Sequence, residues 1–301
     1  MGFEVTHAYF SALRGYIEEI TGAPVHYNWF FRMDPQISES YGRATWVGDK
    51  YPRLVNDVQE HKDGLGVHPH GYRWHDADQT WFLNMDDQDW VEYCVRMSLE
   101  AYSQVIGSPC AYFRFGNYWL NTATVNLIER LGIQCDLTVE PGMPAPAVRG
   151  PVMGWCPDFQ RVPRAPYFPA EQDFRKPERP GSRSIRLMPL TSGHFRFGFG
   201  FVRTRLRRML ANGMRHRLQD TPLSMWNDWE APNTFDRMLD RALRVQRRPY
   251  LAFAIRSDTC INPVLFSRVE SCLRALLAHP SSGNFKFCTP REAMAILDNH
   301  G

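Results

Sequence analysis

A chain of 301 residues with 44% hydrophobic and 22% charged side chains is globular, which excludes a disordered chain, a collagen-like repeat and a coiled coil. The length suits one large or two small domains, and an α/β barrel of roughly 250 residues is a single domain. The net charge of +3, from 35 basic and 32 acidic residues, is too balanced to imply a nucleic-acid partner. Residues 1–23 contain no continuous apolar run, so no signal peptide is visible. The longest apolar runs are strand-sized, such as Ala252-Phe253-Ala254-Ile255, and fall well short of the ~20 residues of a membrane span. Cysteines at 94, 110, 135, 156, 260, 272 and 288 never form a C-x-x-C pair, which argues against a disulfide framework or a structural zinc site. They read as small buried hydrophobes in a reducing compartment, and a cytoplasmic location is expected.

In chain order, residues 24–31 read as a strand and 64–70 as a short strand ending in a loop. Residues 87–106 form the clearest helix, with Trp90, Cys94, Met97, Ala101 and Val105 at helical spacing and acidic residues near its start. Strand 110–115 ends at Gly116. A helix capped by Asn121 or Thr122 then carries Val125, Ile128 and Leu131 and stops at Gly132. Strand 133–139 leads into a proline-rich, aperiodic insertion over 141–183. A strand over 184–190, a basic helical stretch over 202–218 and a helix over 233–246 follow. Residues 249–256 read as a buried strand, 261–278 as a helix, 284–288 as a last strand, and a short helix starts at Pro290. Strands alternating with helices predict a parallel sheet covered by helices, either a barrel or a doubly wound sheet. No G-x-G-x-x-G follows the first strand and no P-loop is present, which lowers the weight of a nucleotide-binding fold. Polar residues cluster just after the strands, where a barrel would gather them at one mouth.

The segment His68-Pro69-His70-Gly71-Tyr72-Arg73-Trp74-His75 is the densest constellation. Side chains two apart on extended backbone point the same way, so His68 and His70 suit one divalent metal, with a nearby carboxylate as third ligand. Pro69 stiffens that geometry, and His75 is a spare candidate. The alternative is a proline-rich turn whose histidines bond to backbone. Asp34, after the first strand, is a metal ligand, a base, or the cap of a helix opened by Pro35. Arg114 either orients a substrate oxygen or forms a partly buried ion pair. Arg256 and Asp258 are site residues or simply an ion pair at a strand end. The arginines between 203 and 217, interleaved with apolar residues, read as a solvated helix face.

The segments NWFFRMDPQI, GLGVHPHGYRW, FRFGNYWLNTATVNLIERLGIQCDLTVEPG, PYFP followed by Asp173, and AFAIRSD together resemble the polysaccharide deacetylase (NodB-homology) superfamily. They follow that superfamily's order from about residue 24 to 292. The resemblance implies a distorted (β/α)7-type barrel over residues 24–300, a single domain with the insertion at 141–183, preceded by an N-terminal helical extension over 1–23. It also implies a hydrolase cleaving an amide C–N bond, usually a sugar N-acetyl group, with a divalent metal: zinc, or else nickel, cobalt or manganese. Asp34 matches the metal-binding Asp of the first motif, while Met33 stands where the family has its base. His68 matches the first His of the second motif. Tyr72 stands where the second is expected, so His70 or His75 has to substitute. Arg114 matches the third motif, in which Gly116-Asn117 replace Pro-Tyr. The late motif's His falls near Asp258. The metal-independent, allantoinase-like cyclic-amide hydrolases of the same superfamily carry a segment like His70-Gly71-Tyr72-Arg73-Trp74.

The mechanism this implies holds a metal on Asp34, His68 and His70, which polarises the amide carbonyl and lowers the pKa of a bound water toward ~7. His75 or Asp258 then moves the proton, and Arg114 and Arg256 orient the substrate or stabilise the oxyanion. Trp29, Trp74 and Trp119 form stacking walls for a small-molecule or saccharide substrate. In the metal-free alternative His70 acts, with Tyr72 and Arg73 shaping the site. A third reading is a non-catalytic carbohydrate-binding relative, which keeps the aromatic walls and needs no proton shuttle.

Overall fold

The computed structural model describes residues 2–143, 158–193, 221–222, 234–245 and 250–299. The basic stretch 202–218, with its arginines at 203–217, and part of the proline-rich insertion (144–157) lie outside the described residues. The chain divides into two compact units, each described by itself.

The unit built from Val25–Val139, Ala145–Pro189 and Phe287–Gly301 holds a five-stranded parallel sheet. Its strands are β1 (Asn28–Phe31), β2 (Gly64–Val67), β5 (Tyr112–Phe113), β6 (Cys135–Asp136) and β7 (Arg186–Leu187). They lie side by side in that sequence, with Asn28 opposite Gly64, Gly66 opposite Tyr112, Tyr112 opposite Cys135 and Cys135 opposite Arg186. Among the described strands the order never reverses, so they show no switch point of the doubly wound kind. Parallel pairing also brings every strand's C-terminal end to one edge. A central strand buried on both faces needs small residues where neighbours crowd. A Cβ at Gly66 would stand 2.5 Å from the Tyr112 carbonyl oxygen and 2.7 Å from the Phe30 ring.

Three short helices that the apolar spacing did not disclose follow β1: α2 (Pro35–Tyr41), α3 (Trp46–Lys50) and α4 (Pro52–Glu60). Between β2 and the long helix lies an antiparallel hairpin, β3 (Tyr72–His75) with β4 (Thr80–Leu83), pairing Trp74 with Trp81. Helix α5 (Gln88–Ile106) starts where Asp87 accepts the Trp90 N–H and stops at Gly107, whose φ of 76° closes the C-terminus. Its buried face is Val91, Cys94, Val95, Ser98, Ala101 and Tyr102, which includes Cys94 and Ala101 of the expected stripe, while Trp90, Met97 and Val105 are half-buried beside it. Ser98 and Tyr102 read as polar in sequence. They enter the core because Ser98 Oγ donates to the Cys94 carbonyl and Tyr102 Oη to that of Leu65. Helix α6 (Thr122–Arg130) is capped by Asn121, which accepts the Thr124 N–H at 2.7 Å, and the turn closes at Gly132 with φ 91°.

The described part of the insertion has no regular element, yet it is packed: Phe159, Tyr167 and Phe174 are buried, and Tyr167 bridges to Leu187. The strand expected over 284–288 is irregular, with the Phe287 and Cys288 carbonyls accepting bonds from His26 N–H and Asn28 Nδ2. Helix α9 (Pro290–Asn299) ends this unit.

The other unit comprises Met1–Pro24, Glu140–Pro144 and Leu190–Lys286. Helix α1 (Gly2–Thr21) buries Thr6, Phe10, Arg14, Ile17 and Thr21 on one stripe, and Thr6 Oγ1 donates to the Ser257 carbonyl at 2.7 Å. Strands β8 (Ser192–Gly193) and β9 (Thr221–Pro222) pair antiparallel. Helices α7 (Thr234–Val245) and α8 (Pro263–Ala278) pack together, the latter capped by Asn262 with Pro263 in its first turn. Of the buried strand expected over 249–256, the described residues 250–256 are irregular, half-exposed up to 255 and exposed at Arg256. The Ala252 carbonyl accepts the Thr191 N–H and the Ala252 N–H donates to Thr191 Oγ1, both at 2.8 Å, and no strand ladder forms here among the described residues. No helix among the described residues is long and apolar enough to cross a membrane.

Candidate functional site

The C-terminal edge of the parallel sheet is where ligands bind in α/β folds, because loops there converge from several strands. Four of the predicted site residues stand just past those ends: Asp34 after β1, His68 and His70 after β2, and Arg114 after β5.

Asp34 is fully buried. Its backbone occupies the N-cap position of α2, with Pro35 next, and its carbonyl accepts the Ile37 and Ser38 N–H groups. Its carboxylate does not cap the helix. Instead Arg32 clamps it from two residues away, Nε donating to Oδ2 at 2.9 Å and Nη2 to Oδ1 at 2.8 Å. Arg32 Nη2 also donates to Gln36 Oε1 at 2.6 Å. The backbone N–H of His70 donates to Asp34 Oδ2 at 3.1 Å. Asp34 therefore ties the end of β1 to the loop after β2.

His68 Nδ1 lies 2.8 Å from the Arg114 carbonyl oxygen, which can only accept, so Nδ1 carries the proton and Nε2 the lone pair. Burial, then the nearby Arg114 cation, lowers the His68 pKa to about 3, so the ring is neutral at physiological pH. Its Nε2 stands 3.2 Å from His70 Nε2, which must therefore be the donor of the pair. One donor nitrogen and one acceptor nitrogen thus meet at the strand ends, and both residues are half-buried.

His70 is held on three sides. Tyr72 stacks on its ring at 5.6 Å, and the Tyr72 hydroxyl accepts from Asn117 Nδ2 at 3.1 Å. Gly116 lies against the ring: a Cβ there would meet three imidazole atoms at 2.4–2.5 Å. The following turn is tight, with Asn117 and Tyr118 at φ 55° and 56°. The Arg114 guanidinium bonds the Leu137 carbonyl, bracing the ends of β5 and β6.

Asp136 is fully buried at the end of β6. It accepts from Thr138 N–H and from Thr138 Oγ1, which in turn accepts the Phe115 N–H. Burial pushes its carboxyl up to about 6.

The remaining predicted residues stand elsewhere. Trp29 sits in the middle of β1, and its indole donates to Asp63, which precedes β2, at the N-terminal end of the sheet. Trp119 has no exposed surface and packs on Phe115, so it presents no stacking face. Arg73, Trp74 and His75 lie on β3. Arg73 is exposed over the Trp90 ring, Trp74 packs edge-on to Trp81, and exposed His75 pairs with Asp78 at 3.0 Å. At a rise of ~3.3 Å per residue, β3 carries His75 roughly 10 Å beyond Tyr72. Arg256 and Asp258 belong to the other unit, where they form an exposed ion pair at 2.9 Å. Sequence reasoning passed over Arg32, although a charge two residues before Asp34 at a strand end was a legible signal.

The donor set fits a metal only in part. Two imidazole nitrogens 3.2 Å apart have about the spacing of adjacent ligands in a tetrahedral site with bonds of ~2.0–2.1 Å. The carboxylate that should complete the set already has both oxygens on a guanidinium. Among the described residues no group of three His, Cys, Asp or Glu side chains is placed to hold a metal ion. The Asp34–His68–His70 set therefore does not fit the divalent ion that the sequence resemblance implies.

No protein-family model matches this sequence, and no curated protein does. Among solved structures, the fold is similar to a putative polysaccharide deacetylase from Mycobacterium smegmatis, with a TM-score of 0.52 and 12% identity, over 99% of this chain and 79% of that one. A 4-alpha-glucanotransferase from Thermococcus litoralis gives a TM-score of 0.43 and 11% identity over 98% of this chain and 36% of that one, too loose to bear on the argument. The mixed α/β architecture with its parallel sheet is thus shared with a deacetylase, and at this identity the likeness is one of fold.

Proposed function

We propose that this chain is a hydrolase of amide C–N bonds on a deacetylase-like barrel, acting on a small acylated sugar or a cyclic amide. One observation carries this reading: a histidine pair, neutral His68 and its partner His70, fixed with complementary nitrogens at the C-terminal edge of the sheet. Amide hydrolysis adds water across the C–N bond, so it needs an acceptor for the water's proton and a donor to the carbonyl oxygen and leaving amine. In the resting site His70 Nε2–H donates to His68 Nε2. In the reaction that bond opens, His68 Nε2 accepting the proton of the attacking water and His70 Nε2–H donating to the carbonyl oxygen and then to the leaving amine. Arg114 supplies positive charge for the developing oxyanion, while Arg32 stays committed to the Asp34 carboxylate. Met33, fully buried where the superfamily has its base, takes no part. No step passes through a metal.

The supporting test is turnover of N-acetylated sugars and cyclic amides such as hydantoins, followed by release of amine or acid. His68→Ala and His70→Ala are each expected to lower kcat by about 10²–10⁴-fold with the fold intact by circular dichroism. Full activity in the His70→Ala protein, or no turnover of either amide class by the unaltered protein, refutes the reading. The second outcome with saccharide binding retained would leave the non-catalytic carbohydrate binder.

A further inference from the structure

We propose that Arg32 is a built-in cation: by occupying both carboxylate oxygens of Asp34 it completes the charge balance of the Asp34–His68–His70 centre and keeps divalent metal out. The inference rests on the site described above, but its test needs no turnover.

A fully buried carboxylate requires a compensating cation, and here the chain supplies its own. The guanidinium is planar and forked, so it matches both oxygens at 2.9 and 2.8 Å, and Gln36 fixes its remaining edge at 2.6 Å. The spacing is local. Arg32 and Asp34 flank Met33 at the end of β1, and Pro35 opens α2 directly after them, so backbone geometry alone brings the pair together. Oδ2 also accepts the His70 N–H, which gives the carboxylate three protein donor contacts. The two imidazole nitrogens keep a spacing a metal would accept. By holding both oxygens on itself, Arg32 keeps the Asp34 carboxylate from joining the two imidazoles, and its positive charge stands beside them.

The prediction is a gain of metal on removing Arg32. Apo protein is titrated with cobalt(II), read by its visible d–d absorption, and zinc uptake is measured by equilibrium dialysis with elemental analysis. The unaltered protein is expected to take up no stoichiometric metal. Arg32→Ala frees the carboxylate and is expected to bind about one ion per chain, lost again when His68→Ala is added. Arg32→Lys keeps the charge and is expected to bind none. A folded Arg32→Ala protein without metal overturns the proposal. So does about one ion per chain on the unaltered protein that Asp34→Asn abolishes. That second measurement decides the matter alone should Arg32→Ala fail to fold. Loss of amide turnover in any variant bears on the function proposed above, and metal uptake bears on Arg32.

Discussion

Gly116→Ala is the smallest perturbation that reaches the histidine pair. The added Cβ would stand 2.4 Å from His70 Cδ2 and 2.5 Å from Cγ and Nε2, where uncompressed carbon contacts need ~3.5 Å. The ring must therefore retreat by about 1 Å. Its bond to His68 spans 3.2 Å, and only about 0.3 Å of slack remains before a hydrogen bond is lost. The same ring stacks on Tyr72, so the shift disturbs that contact as well. Two opposing effects set the stability change. Alanine restricts the unfolded chain, a gain of about 0.4–1 kcal/mol wherever its backbone fits, and Gly116 does not sit at positive φ. Overpacking a buried position costs about 1–3 kcal/mol, so a net loss of roughly 1–2 kcal/mol is expected. Urea unfolding reads this as a lower midpoint at unchanged slope. Nitrogen-15 NMR of the imidazoles should show the His70 ring losing its fixed tautomer and the His68 Nε2 signal shifting as its bond is lost, while His68 Nδ1 stays protonated on the Arg114 carbonyl, and amide turnover should fall. Unchanged stability together with unchanged His68 and His70 signals would refute the argument.

Asp136 makes a pH prediction. Its folded carboxyl titrates near 6, above its usual 3.8, so the native state binds the extra proton between those values. Stability from this group is highest below about pH 4, falls as pH rises to about 6, and is flat above. Two pKa units correspond to about 3 kcal/mol. Asp136→Asn removes that slope, and the difference in stability between the two proteins should grow across pH 4–6; a difference flat from pH 4 to 7 refutes it. Glu129, near the end of α6, makes a structural prediction. It accepts from Ser184 N–H, Ser184 Oγ and Ile185 N–H with one oxygen and from Arg183 with the other. Burial raises its pKa, but these bonds outweigh it and hold the carboxyl below the ordinary range. Glu129→Ala strands a buried Arg183 and should cost about 2–4 kcal/mol in thermal or chemical unfolding, whereas a loss under about 1 kcal/mol would show the cluster is solvated.

What the sequence disclosed of this fold follows from where the determining physics is local. Helices α5 and α6 were legible because their ends are written in single residues: Asp87 and Asn121 at the starts, Gly107 and Gly132 at the stops. The sheet strands were legible as apolar runs, though they pair over shorter spans than the runs suggest. The hairpin β3–β4 was not, because three histidines in eight residues pointed to a ligand cluster while the alternation of Tyr72 to His75 belonged to a strand. Trp119 looked like a stacking wall because indole chemistry is the same in a site and in a core, and only burial separates the two.

The site was half legible for a more specific reason. Two departures from the deacetylase pattern stood apart in sequence: a histidine spacing of two at His68 and His70, and Gly116-Asn117 in place of Pro-Tyr. In the structure they are one arrangement. The His70 ring fills the volume that any side chain at position 116 would need, and Asn117 holds the tyrosine that stacks on it. Moving the second histidine inward is compatible only with a glycine on the neighbouring strand end. A residue with a Cβ at 116 would require His70 to leave His68, so the two positions can change only together.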